Sequence, residues 1–111
     1  MKTKKNYNSL IELWKKRIMA EKEIPAIDAR QMADKIMNLI CYMRNGYVII
    51  AYRKQDGKFC MEKATLMNYE KEFQRKFEVE RIPNSIPYWS IEKNAWRTFR
   101  MENLLEWKKL V

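Results

Sequence analysis

At Tyr47 the hydrophobic pattern of this chain changes period, and that change constrains the fold more than any other feature. Before it, apolar residues recur every three or four positions. Leu10, Ile11, Trp14, Ile18 and Met19 form one stripe, and Ala29, Met32, Ala33, Ile36, Met37, Ile40 and Met43 form a second. Such spacing places side chains on one face of an amphipathic helix. From Tyr47 the run Tyr47-Val48-Ile49-Ile50-Ala51-Tyr52 is short, β-branched and aromatic, as strands are. The chain therefore reads as a helical segment over 1–46 and a β segment over 47–111. At 111 residues there is room for one core, which the two segments must share.

Capping chemistry suggests where the helices begin and end. Ser9-Leu10-Ile11-Glu12 fits a capping box, and Asp28-Ala29-Arg30-Gln31 repeats its logic. Pro25 stops the first helix, because the residue before proline avoids the helical region. Asn45-Gly46 supplies a left-handed stop for the second. Helices over about 10–23 and 29–44 are predicted, with Met32, Met37 and Met43 as core residues.

In the β segment Asp56-Gly57 lies between two strand-like runs, which predicts a two-residue type I′ turn with both residues at positive φ. Gln55 would then pair with Lys58, placing Tyr52 opposite Met61, Ile50 opposite Lys63 and Ile49 opposite Ala64. The first strand is apolar on both faces. One face would line a barrel interior, and the N-terminal helix would cover the other. Residues 67–85 are polar, although Tyr69, Phe73 and Phe77 have the spacing of a short helix. A second hairpin follows, Ile86–Glu92 and Ala95–Met101 about Lys93-Asn94. A tight turn at Glu102-Asn103 leads to a last strand from Leu104 to Leu110. Five short strands predict a small closed SH3-like antiparallel barrel carrying two helices, an α+β fold.

Much catalytic chemistry is missing. Without histidine there is no Ser-His or Cys-His arrangement. Two cysteines cannot by themselves complete a zinc site, and two glycines cannot build a phosphate-binding loop. Glu70, Glu72, Glu78 and Glu80 alternate with Lys71, Arg75, Lys76 and Arg81 as a solvated face does. Asp28, Asp34 and Asp56 are too few and too scattered for a metal-dependent nuclease. No enzymatic activity, metal or cofactor is expected. Cys41 and Cys60 are too few for a disulfide framework, and no run approaches the ~18 apolar residues of a membrane span. A cytoplasmic protein with no membrane contact is expected, its oligomeric state left open.

What remains is positive charge. There are 23 Lys and Arg against 14 Asp and Glu, a net charge of +9 with a dense start at Lys2, Lys4 and Lys5. Such a balance favours nucleic acid or, as the alternative, an acidic protein surface. Cations and aromatics coincide at two places: Tyr52, Arg53, Lys54 and Lys58 around the first hairpin, and Trp96, Arg97 and Arg100 on the second, near Tyr88 and Trp89. Small barrels bind single strands by stacking bases on aromatics while Lys and Arg follow the backbone. Trp and Tyr at alternate strand positions, as Trp89 and Trp96 are, nevertheless more often pack as core or half-core residues. Along a strand Trp96 and Arg100 share one face, and Arg97, Phe99 and Met101 the other. With Phe99 and Met101 inside, Arg100 should stand outside beside Trp96, near Tyr52, Lys54 and Lys58. Arg97 would then escape at a barrel end; with Trp96 inside instead, the roles exchange and Arg97 is the displayed cation.

Three segments carry a family resemblance over roughly residues 36–106. They are Arg44 to Lys58, then Ala64-Thr65-Leu66, then Pro87 to Leu105. The last is close to the pattern Y-Y/F-D-x-E-K-x-x-W-R-S-F-R-x-E-N-L-I, with Ser90 in place of the acidic residue; in the second, a family glycine is lacking. These segments resemble small SH3-barrel proteins of gut anaerobes, their phages and mobile elements, a family with no established function. More distantly they are similar to the closing hairpin of WYL domains, regulatory modules thought to sense nucleic acid or other ligands. The resemblance implies the barrel and a regulatory or nucleic-acid-binding module. The rival is a protein–protein module, such as a phage-encoded inhibitor or adaptor of a host protein.

Overall fold

The computed structural model describes residues 3–110, with side chains from Tyr7 onward, so the basic start at Lys2, Lys4 and Lys5 lies outside the described side chains. Two helices, α1 (Thr3–Glu21) and α2 (Ala26–Met43), precede strands β1 (Tyr47–Arg53) and β2 (Phe59–Thr65). A short helix α3 (Tyr69–Phe73) and a 3₁₀ turn (Val79–Arg81) fill the long connection. Strands β3 (Ser85–Ser90) and β4 (Ala95–Arg100), a 3₁₀ turn (Met101–Asn103) and β5 (Leu104–Lys109) complete the chain.

Most of each predicted stripe is buried, but Met19 is exposed and Met32, expected in the core, is only half-buried. Leu10, Ile11, Trp14 and Ile18 of α1 and Ala29, Ala33, Ile36, Met37, Ile40 and Met43 of α2 all belong to one hydrophobic core with the strands. Both predicted caps are displaced. α1 begins at Thr3, leaving Ser9 inside it, and Glu12 pairs with Lys15 and with Arg30 of α2 rather than reaching back to a backbone N–H. α2 begins after Pro25, whose φ of −60° lets it precede a first turn, so Asp28 lies within that turn. Neither Asn45 nor Gly46 takes a positive φ; α2 closes through Arg44, whose N–H donates to Ile40 O. Gly46 is needed for space, since a Cβ there would lie 2.9 Å from the Tyr42 ring.

The five strands form one antiparallel sheet in the order β4-β3-β2-β1-β5. It is not closed as expected: β4 and β5 are its two edges, joined by the 3₁₀ turn whose Met101 and Glu102 are buried. Between β2 and β3 only Ala64↔Ser90 and Thr65↔Trp89 pair, so the sheet splays there.

The first hairpin is shifted by one residue from expectation, with Tyr52 opposite Cys60 and Ile50 opposite Glu62. The cause is a three-residue loop, Gln55-Asp56-Gly57. Lys54 N–H donates to Lys58 O and Gly57 N–H to Lys54 O, both at 2.8 Å. Only Gly57 is left-handed, at φ +89°, as in hairpins where a common turn is followed by a single left-handed residue. A one-residue slip exchanges the faces of the partner strand. Hence Cys60, Glu62 and Ala64 point inward, and Met61 and Lys63 outward.

Directly opposed residues share a face. Val48, Ile50 and Tyr52 therefore lie on the same side as Ala64, Glu62 and Cys60 of β2 and as Lys109 and Trp107 of β5. That side holds α2. Trp107 donates its indole N–H to Lys35 O at 3.1 Å, and the Tyr42 ring packs 6.2 Å from Trp107. The helix that meets β1 is thus the second, and it fills the inner face. α1 lies against α2 and meets later parts of the chain through Arg17, donating to Ile82 O at 2.8 Å, and Glu21, 3.7 Å from Arg100. The predicted helical cover on the outer face of β1 does not form. Tyr47, Phe59 and Met61 are exposed there.

Candidate functional site

Between the first hairpin, edge strand β4 and α3 lies an open groove of about 720 Å³. Four cations line it, Arg53, Lys54, Arg97 and Arg100, and among the described residues no carboxylate-bearing one does. Gln55, Ser85, Thr98 and Asn103 add hydrogen-bonding groups, and Phe73, Trp96, Tyr52 and Phe99 the apolar surface. The groove thus gathers Tyr52, Arg53, Lys54, Trp96, Arg97 and Arg100 from the two predicted clusters. Lys58, exposed across the hairpin loop, does not line it.

Local structure places each cation. Arg53 ends β1, where its guanidinium sits 5.7 Å from the Phe59 ring and donates to Gly57 O at 3.3 Å. Lys54 is held by the loop bonds above, and Asn103 ties that loop to the far side of the groove by donating to Gln55 Oε1 at 2.9 Å. Arg97 is opposite Tyr88, on the inner face of edge strand β4; Tyr88 is fully buried while Arg97 is exposed. Among the described residues the Arg97 side chain has neither an ion-pair partner nor a hydrogen bond.

Arg100 corrects the expectation. Phe99 and Met101 are inside as anticipated, but Arg100 is half-buried rather than displayed. Its Nε donates to Glu102 Oε2 at 2.5 Å and its Nη2 lies 3.7 Å from Glu21. The hydrogen bond to Glu102 raises its pKa above the ordinary arginine value. Arg97 is the displayed cation.

Tyr52 and Trp96 are packed into the structure rather than displayed for stacking. Tyr52 is buried, its ring stacked 5.2 Å from Phe99. Its hydroxyl lies 2.7 Å from that of Tyr88, which donates to Glu62 Oε1 at 2.8 Å. A phenol has one proton, so Tyr52 donates to Tyr88. Burial, more than any other influence, pushes the Tyr52 hydroxyl up to about 12 and raises Tyr88 as well. Trp96 is half-buried, packed by Trp89 at 5.5 Å, Phe73 at 5.1 Å and Tyr69 at 5.8 Å, and its indole N–H has no acceptor among the described residues. The accessible aromatic is Phe73, 42% exposed. Its spacing with Tyr69 and Phe77 hinted at a helix; that α3 would lay it against Trp96 was not readable from spacing. Nor were Ser85, Thr98 and Asn103, which no local pattern marks.

Among the described residues no cluster of metal-ligating side chains occurs, and no helix is long and apolar enough to cross a membrane. A family model described as WYL_2, Sm-like SH3 beta-barrel fold, matches residues 36–105, a stretch that contains every groove residue. No curated protein and no solved structure matches the chain.

Proposed function

The chain belongs to the WYL_2 family of Sm-like SH3 β-barrel folds, and on that premise we propose that it is a non-catalytic module whose basic groove holds the phosphate backbone of a nucleic acid. One observation carries the reading: among the described residues the groove is lined by four cations and no carboxylate. Arg100 is neutralised by Glu21 and Glu102, leaving Arg53, Lys54 and Arg97 to meet an anion. A planar guanidinium such as Arg97 binds phosphate through two parallel N–H donors. Gln55, Ser85, Thr98 and Asn103 can donate to phosphate or sugar oxygens, contacts that position a strand without reading its sequence.

Fluorescence anisotropy with short single- and double-stranded DNA and RNA tests this. Three phosphate contacts predict a log–log salt slope of about −2 on a single strand. Arg97→Glu should abolish binding at low salt, while a charge reversal at exposed Lys71, outside this groove, should change it little. If the wild type binds no nucleic acid at low salt, the reading fails, and an acidic protein surface becomes the partner to seek.

A further inference from the structure

The basic groove does not end at Phe73. A second groove of about 490 Å³ shares Phe73, Ser85, Pro87 and Thr98 with the first, so the two run into one another along β3 and β4. The second adds Arg75, Lys76 and Arg81, against a single carboxylate, Glu78, which Arg81 pairs at 2.9 Å. Lys76 has no ion-pair partner among the described residues.

Phe73 stands where the grooves join. It is held from behind by Trp96, 5.1 Å away, and Tyr69, 4.8 Å away. α3 ends immediately after it at Gln74, which takes a left-handed φ of +53°. A non-glycine residue held in that region costs energy and persists only where its surroundings impose it. The turn brings Arg75 back over the same rings, 5.9 Å from both Phe73 and Tyr69, with two donors on the Tyr69 hydroxyl at 3.0 and 3.3 Å. An exposed, braced ring with a cation on one side and a basic channel on either hand is what an unpaired base and its flanking phosphates require. In a duplex the bases are stacked on each other and present no free face to Phe73.

We infer that the two grooves form one continuous track for single-stranded nucleic acid, with Phe73 as the ring on which a base stacks midway along it. This rests on the reading of the first groove as a phosphate site and extends it to a strand type and a length. Backbone contacts at Arg97 and Lys54 lie on one side of the stacked base, and those at Lys76 on the other.

The test is anisotropy with labelled oligothymidylates of about 4 and about 12 nucleotides, the range a small barrel accommodates, and with a duplex of the longer length. Phe73→Ala should weaken the longer strand about tenfold, the effect of losing one stacked base, and leave the duplex unchanged. Phe73→Trp should restore binding. Lys76→Glu should weaken the longer strand and not the shorter. Lys76 is exposed, so the melting curve of Lys76→Glu should match the wild type. Phe73→Trp, which keeps a ring against Trp96 and Tyr69, separates lost stacking from the lost packing of Phe73→Ala. If Phe73→Ala and Lys76→Glu bind the longer strand as the wild type does while Arg97→Glu does not bind, the track ends at the first groove and only this extension is overturned. If Arg97→Glu also binds normally, the phosphate site itself is refuted and the track with it.

Discussion

Gly57 and Gly46 show how one residue type answers two different demands. Nothing lies within 4 Å of where a Gly57 Cβ would sit, and its φ is +89°. Its cost of replacement is therefore backbone strain alone. Gly57→Val should destabilise by about 1–3 kcal/mol in a urea titration, with the groove's Lys54 becoming more mobile. At Gly46 the conformation is ordinary and the crowding is against Tyr42, so Gly46→Ala should displace that ring from Trp107. Deeper in the core, Tyr88→Phe would leave the Tyr52 hydroxyl and the Glu62 carboxylate without their shared partner, at a cost of about 1–3 kcal/mol or more. The pH dependence has a definite sign. A Tyr52 pKa raised from 10 to about 12 means that the folded state holds its proton more tightly than the unfolded chain. That contribution to stability is complete below pH 10 and is lost as pH rises through 12. Tyr52→Phe should flatten the fall in melting temperature over that window; an unaltered fall would contradict the assignment.

Elements divide the labour differently from how their order in the chain suggests. α2 is the layer against β1 and β5, whereas α1 backs α2 and sends Arg17 and Glu21 toward the later strands. Trp14 is fully buried in α1, and Trp14→Ala should cost about 3–5 kcal/mol, seen as a large drop in denaturation midpoint. On β4 the two arginines separate the proposed binding from folding. Arg97→Glu alters an exposed, unpaired side chain, so its stability change should stay within about 0.5 kcal/mol. Arg100→Glu places a third carboxylate against Glu21 and Glu102. It should lower the melting temperature, so any binding lost in that variant reports the fold rather than the groove. Equal melting temperatures for the two variants would refute this division.

For the whole molecule, a net charge of +9 sets the attraction for anions, but its distribution decides where an anion can sit. Much of the fold was legible because it is written in short-range pattern. A 3.6-residue stripe marks Leu10 to Ile18 and Ala29 to Met43, a β-branched run marks β1, and Asp56-Gly57 marks the hairpin, each from neighbours alone. These patterns, with the Tyr88-to-Leu105 motif, determined the order of helices and strands. The lack of histidine removed Ser-His and Cys-His arrangements from consideration. Tertiary structure decided what depends on distant partners. The hairpin slipped by one residue because loop closure at Lys54 and Lys58 favours three loop residues, and the slip turned Glu62 inward to Tyr88. α2 settled on the inner face, where Trp107 and Tyr42 meet. Alternation along β4 placed Arg97 and Arg100 on opposite faces, yet could not say which would be free. Glu21 and Glu102 decided that by neutralising Arg100, since a half-buried guanidinium needs a carboxylate beside it and Arg97, at the sheet edge, has water.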